Sequence, residues 1–221
     1  MLMTIYGRAF NMLMNKPLKL WGISLLSIVL SGVLGALCGA AIPGLALAVG
    51  LLIGTSMTMI YLRGYRGEEV SISQLFSCFK DWNTIKRITL GLAWMWLWVF
   101  LWSLIPIVGP FFALVRIYEY RLTPYILFME PDVPITEAIK ISAAKTRGYK
   151  LQMWLADFVY VIAFLLAAFI IGLIPILGAI VVSLASIAFA ALSPLFGGLV
   201  QAAFYEEITG ATAQPAAPVY Y

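Results

Sequence analysis

Residues 105–130 read Ile-Pro-Ile-Val-Gly-Pro-Phe-Phe-Ala-Leu-Val-Arg-Ile-Tyr-Glu-Tyr-Arg-Leu-Thr-Pro-Tyr-Ile-Leu-Phe-Met-Glu. An uncharged Pro/Gly turn opens the stretch, and an apolar run of helix length follows it. Inside that run stand Arg116, Glu119 and Arg121. A run of about 20 apolar residues is the length a helix needs to cross hydrocarbon. Charge is costly there, so the stretch predicts a fourth membrane span with a polar site in it. If Pro106 marks the outer edge, Arg116 lies about 15 Å further in at roughly 1.5 Å per residue, near the bilayer middle. Glu119 follows at i+3 on the same face, with Tyr120 and Thr123 beside it. Arg121 points elsewhere, either to snorkel to the interface or to meet Asp157 near the cytosolic edge. The site is therefore Arg116, Glu119, Tyr120, Thr123, Arg121 and Asp157, serving either a pathway or head-group site or the packing of helices.

The rest of the chain agrees with a membrane setting. Of its 221 residues 63% are hydrophobic and 11% charged, with a mean hydropathy of +0.98, too little polar surface for a soluble globule. Long continuous apolar runs favour helices over a barrel's short alternating strands. Histidine is absent, and Cys38 and Cys78 fall in an apolar span and a polar loop, so no disulfide, metal site or cofactor is expected. H-E-x-x-H, G-x-S-x-G and phosphate-loop motifs are missing, which argues against an enzyme. The net charge of +4 comes without a basic run interleaved with aromatics, which argues against nucleic acid.

Met1 to Asn15 lacks the pattern of a cleavable signal and predicts an interfacial helix, with Thr4, Arg8, Asn11 and Asn15 on its polar stripe. Spans follow at about Leu20–Ile42, Gly44–Leu62, Ile88–Ile105, the stretch after Pro110, Leu151–Ile174 and Ile176–Tyr205, the last bent near Ser193-Pro194 and Gly197-Gly198. Two further interfacial helices are expected at Ser71–Trp82, opened by a Ser71/Gln74 capping box, and at Pro134–Arg147. Gly35/Gly39 and Gly50/Gly54 form G-x-x-x-G pairs, read as close helix packing within the bundle. Trp94, Trp98 and Trp102 share a helix face, for packing, lipid contact or a cation.

Shifting the chain by 63 residues puts Ile42-Pro43 on Ile105-Pro106, Leu34 on Leu97, Val70 on Val133 and Ile72 on Ile135; a third Ile-Pro turn stands at Ile174-Pro175. The expected fold is all-α: a polytopic bundle of six transmembrane helices, built from three parallel repeats of an interfacial helix plus a helical hairpin. Its boundaries are 1–208 for the domain, with repeats at about 1–63, 64–130 and 131–208, and 209–221 as a disordered cytosolic tail. The Ile-Pro turns carry no Lys or Arg, whereas the opposite loops hold Lys16, Lys19, Lys80, Lys86, Arg87, Lys140, Lys145, Arg147 and Lys150. Both termini are therefore expected in the cytosol, and those basic residues against anionic lipid head groups.

Tyr118-x-Tyr120, Pro124-Tyr125-Ile126-Leu127, Ile135-Thr136-Glu137-Ala138-Ile139 with Ser142, Gly148-x-Lys150, and Pro194 followed by Ala203-Phe204-Tyr205 together resemble the bacterial integral membrane proteins grouped as domain of unknown function 975. Leu195 replaces the aromatic usual after the final proline. The resemblance spans about the last two thirds of the chain. It implies a bacterial cytoplasmic membrane protein and brings no activity. The reading is a non-enzymatic protein with a lipid-organising, accessory or assembly role; the alternative is a small transporter or export component using Arg116 and Glu119.

Overall fold

The computed structural model of the protein describes residues 2–15, 17–41, 43–174 and 177–210. Met1, Lys16, Ile42, Pro175, Ile176 and residues 211–221, and with them the third Ile-Pro turn and the tail expected from the sequence, lie outside them. Among the described residues every element is helical: α1 Leu2–Asn15, α2 Pro17–Ala41, α3 Pro43–Tyr65, a 3-10 helix Ile72–Phe79, α4 Trp82–Ser103, α5 Gly109–Glu119, α6 Thr123–Met129, α7 Ile135–Lys145, α8 Lys150–Gly172 and α9 Leu177–Thr209. Four stretches are long and apolar enough to cross a membrane: Lys19–Ala40, Gly44–Tyr65, Trp82–Ser103 and Lys150–Gly172.

Three expectations need correction. The fourth span is two helices, α5 of 11 residues and α6 of 7, and neither reaches the roughly 30 Å of hydrocarbon alone. The third span starts at Trp82 rather than Ile88, because Asp81 caps it: its carboxylate accepts from Thr84 N at 2.8 Å and from the Thr84 hydroxyl, which hold its pKa below the ordinary value. Lys86 and Arg87 therefore belong to α4, not to a loop. The segment after Ser71 is a tight 3-10 helix, shorter than expected, although its Ser71/Gln74 capping box forms.

The amphipathic reading of α1 holds in part: Phe10, expected on the apolar stripe, is 53% exposed. Ile5 and Ala9 are buried, Arg8 and Asn11 are exposed. The expected bend in the sixth span lies within α9, which runs as one helix through Ser193-Pro194. Gly198 has a different use there. A Cβ at that position would come 2.3 Å from the Tyr61 ring of α3, and Tyr61 is held in place by a 3.0 Å hydrogen bond with Ser24 of α2. We expect Gly198→Ala to cost about 1–3 kcal/mol, the usual range for overpacking against a fixed ring. Thermal melting of the purified protein checks this, and an unchanged midpoint would refute the close contact.

The G-x-x-x-G glycines behave otherwise. Only Gly39 meets a packed neighbour, with its virtual Cβ 3.4 Å from Ala46 across the α2/α3 hairpin; Gly35, Gly50 and Gly54 face open space. Among the described residues, close packing is therefore seen at Gly39 and not at the other three.

Burial is unequal along the helices. Leu20, Ile23, Ser24, Leu52, Ile53, Thr55–Met57, Met59–Leu62, Ile88, Leu92, Met153, Ala156, Leu199, Val200 and Ala202–Glu206 make a dense core at the end that carries the basic loops. At the turn end, Leu37, Leu47, Phe100, Leu104, Leu173 and Ile180 are exposed on successive helices. Such apolar surface is stable against lipid tails and costly in water. Tyr125 of α6 stacks on Tyr205 of α9 at 4.2 Å, Arg66 bonds Glu206 at 2.6 Å, and Leu127 seats on Gly91 of α4, so α6 is fixed at the centre of the dense end.

Candidate functional site

The break between α5 and α6 follows from Pro124. A proline has no N–H to continue the ladder, and its ring collides with the carbonyl four residues back. The chain turns at Tyr120–Leu122 with one tightened bond, Thr123 N to Tyr120 O at 3.0 Å. A regular helix would give the Glu119 carbonyl to Thr123 N and the Leu122 amide to Tyr118 O. Both groups need other partners, and unpaired buried amides are costly.

α7 supplies them. Ser142, fully buried, donates to Glu119 O at 2.7 Å and accepts from Leu122 N at 3.1 Å, so one hydroxyl replaces both missing partners. Thr146, one turn on, lies 3.1 Å from the same carbonyl and 2.9 Å from Ser142 O. At the far end of α6, Arg87 donates from Nε to Leu127 O at 3.0 Å and from Nη2 to Glu130 O at 2.7 Å, satisfying terminal carbonyls and placing a cation at the helix C-terminus.

Two ionic groups flank the break. The Glu119 carboxylate accepts from Arg116 through one oxygen and from Lys150 of α8 through the other, and Arg116 also covers the Trp102 ring at 4.6 Å. The cation above the Trp face is therefore one of the chain's own. On the other side Arg121 makes a two-pronged bond to Asp157, with Nη2 to Oδ1 at 3.0 Å and Nη1 to Oδ2, and Tyr118 donates to Oδ2 at 3.1 Å. Beside this pair lies a partly open cavity of about 290 Å³ between α4, α5, α8 and α9. Met95, Val99, Leu114 and Ile117 are among its apolar lining residues, and Tyr118, Arg121, Asp157 and Gln201 among its polar ones.

The expected site thus divides. Arg116 and Glu119 pair, Arg121 and Asp157 pair, and Tyr120 lines the cavity, but the break removes Thr123 from their face; it is buried with no hydrogen-bond partner for its hydroxyl among the described residues. Of the basic residues expected at the lipid surface, Arg87 and Lys150 are turned inward, to the α6 carbonyls and to Glu119, and Lys145 pairs with the half-exposed Glu130 at 3.5 Å. Lys19, Lys80, Lys86, Lys140 and Arg147 are exposed. Lys86 lies over Trp82, and Lys140 pairs with Glu137. Ser142, Thr146, Tyr118 and Gln201 were not foreseen; the hydroxyls at i and i+4 of an amphipathic helix, read together with Pro124, carried the signal. Among the described residues no group of three or more His, Cys, Asp or Glu is arranged to hold a metal ion. Comparison with protein-family models, with curated proteins and with solved structures finds no match for this chain.

Proposed function

We propose that this chain is a non-enzymatic six-span protein of the bacterial cytoplasmic membrane with a lipid-organising or assembly role. In this reading α5 and α6 cross as one discontinuous element, α9 is the sixth span, and the termini and basic loops face the cytosol. The observation that carries it is that Arg116, Glu119, Arg121 and Asp157 all satisfy one another or Lys150, which suits ions that hold a broken span together rather than a charged pathway. The parallel repeat belongs to the same proposal and rests on the 63-residue shift of the sequence. Likeness to the domain of unknown function 975 proteins remains part of this proposal.

Lys80, Lys140 and Arg147 would act outside the fold, each attracting anionic lipid by about 1 kcal/mol near the surface. Replacing these three with Gln should lower the anionic lipid retained by purified protein at least twofold while its melting midpoint is kept. Unchanged retention, measured by lipid mass spectrometry, would refute lipid gripping by these loops. A transporter is the second reading, favoured by one feature: a helix broken beside a cavity, the arrangement in which many transporters bind substrate.

A further inference from the structure

The cavity beside Arg121 has a chemistry of its own. Among the described residues its only charged lining residues are Arg121 and Asp157, bonded to each other, so this lining is neutral as a whole and otherwise mostly apolar. The pair lines the cavity and is not fully enclosed, with 17% of the Arg121 side chain and 31% of the Asp157 side chain exposed. Its hydrogen bonds leave capacity on both partners. A guanidinium has five N–H donors, of which Asp157 engages two; a carboxylate has about four acceptor sites, of which Arg121 and Tyr118 engage three. Gln201, which also lines the cavity, has an amide with donor and acceptor groups.

A lone anion brought to Arg121 would meet Asp157, and a lone cation brought to Asp157 would meet Arg121. A ligand with both charges meets neither penalty. We propose that this cavity binds the head of a zwitterionic phospholipid with a primary ammonium group, phosphatidylethanolamine in type, its phosphate on the free N–H groups of Arg121 and its ammonium on the free site of Asp157. Size agrees: at about 30 Å³ per water-sized group the cavity holds roughly ten, a phosphoethanolamine head with part of its glycerol and not its tails. The tails lie along Leu114 and Ile117, each 39% exposed at the rim. Asp157 stands seven residues into α8 from Lys150, about 10 Å from the basic-loop end, which suits an inner-leaflet lipid. The proposal rests on the lipid-organising reading, but it concerns an interior neutral site, whereas that reading is tested at the exposed lysines.

Trp96, which lines the cavity, reports on it. Protein reconstituted with a fixed fraction of bromine-labelled phosphatidylethanolamine, phosphatidylcholine or phosphatidylglycerol is compared with Trp96→Phe, and the difference gives the quenching of Trp96. Phosphatidylethanolamine should quench at least threefold more effectively than either other lipid, and the preference should vanish in Arg121→Gln/Asp157→Asn. Equal quenching by phosphatidylcholine removes the ammonium contact and overturns the proposal, as does stronger quenching by phosphatidylglycerol, which would mark an anion site. These comparisons use the wild-type fold, so they stand even if the double variant fails to accumulate. Loss of the headgroup preference with intact retention of anionic lipid would end this inference alone.

Discussion

Ser142→Ala should destabilise the protein by about 2–5 kcal/mol, although it removes a single oxygen. The hydroxyl donates to Glu119 O and accepts from Leu122 N in a fully buried position. Without it two backbone groups lose a partner, and a buried unsatisfied group costs about 1–3 kcal/mol each. Thr146 can keep part of the Glu119 carbonyl bond, since it lies 3.1 Å away, but a hydroxyl also 2.9 Å from Ser142 O has one proton to give. Nothing comparable replaces the acceptor for Leu122 N. Ser142→Thr, which retains the hydroxyl, should lose much less than Ser142→Ala. Melting of both variants in detergent, with membrane accumulation as a second measure, separates the cases; equal and small losses would show that the break does not depend on α7.

Glu119 carries the other large effect, because two cations converge on it. Arg116→Leu leaves Glu119 bonded to Lys150 and removes a cation from the Trp102 face, so a modest loss is expected. Glu119→Leu leaves Arg116 and Lys150 without their carboxylate; their side chains are 31% and 33% exposed, so the loss should fall below the about 3–5 kcal/mol of stranding a fully buried partner while still exceeding that of Arg116→Leu. Replacing all three, as Arg116→Met, Glu119→Leu and Lys150→Met, should recover most of that loss, since buried ion clusters are often replaceable by apolar side chains. The order to be measured is wild type, Arg116→Leu, then Glu119→Leu as least stable, with the triple variant rising above Glu119→Leu. If Arg116→Leu were the worst of the series, Lys150 would not be a partner of Glu119.

The helices and their apolar lengths were legible in the sequence because each is written locally: continuous runs of spanning length, Pro at the start of α3, and the polar and apolar stripes of α1. The break at Tyr120–Leu122 was less so. Pro124 was in plain view, yet a hydrophobic run reads through it, and whether a proline kinks a span or divides it depends on what satisfies the freed amides. Ser142 and Thr146 do so from 20 and more residues away. The Arg116–Glu119 pair was readable from i, i+3 spacing, but the arrival of Lys150 at the same carboxylate was not, since its position before an apolar span also suits a lipid-surface lysine. Asp81 was missed as a cap because a charge before a tryptophan-rich span looks like one more loop residue until Thr84 is seen turned back onto it.

The claim on which the rest stands is that the divided element crosses the membrane, carrying the chain from the uncharged turn to the basic side. Ile107 sits at the tip of that turn, 97% exposed and at φ 68°, and Asp132 follows α6 in an exposed loop. In a background without Cys38 and Cys78, single cysteines at 107 and 132 are challenged with a membrane-impermeant maleimide in intact cells. The account predicts labelling at 107 and none at 132 until the membrane is opened. Labelling of both positions from outside, or of 132 alone, would contradict it.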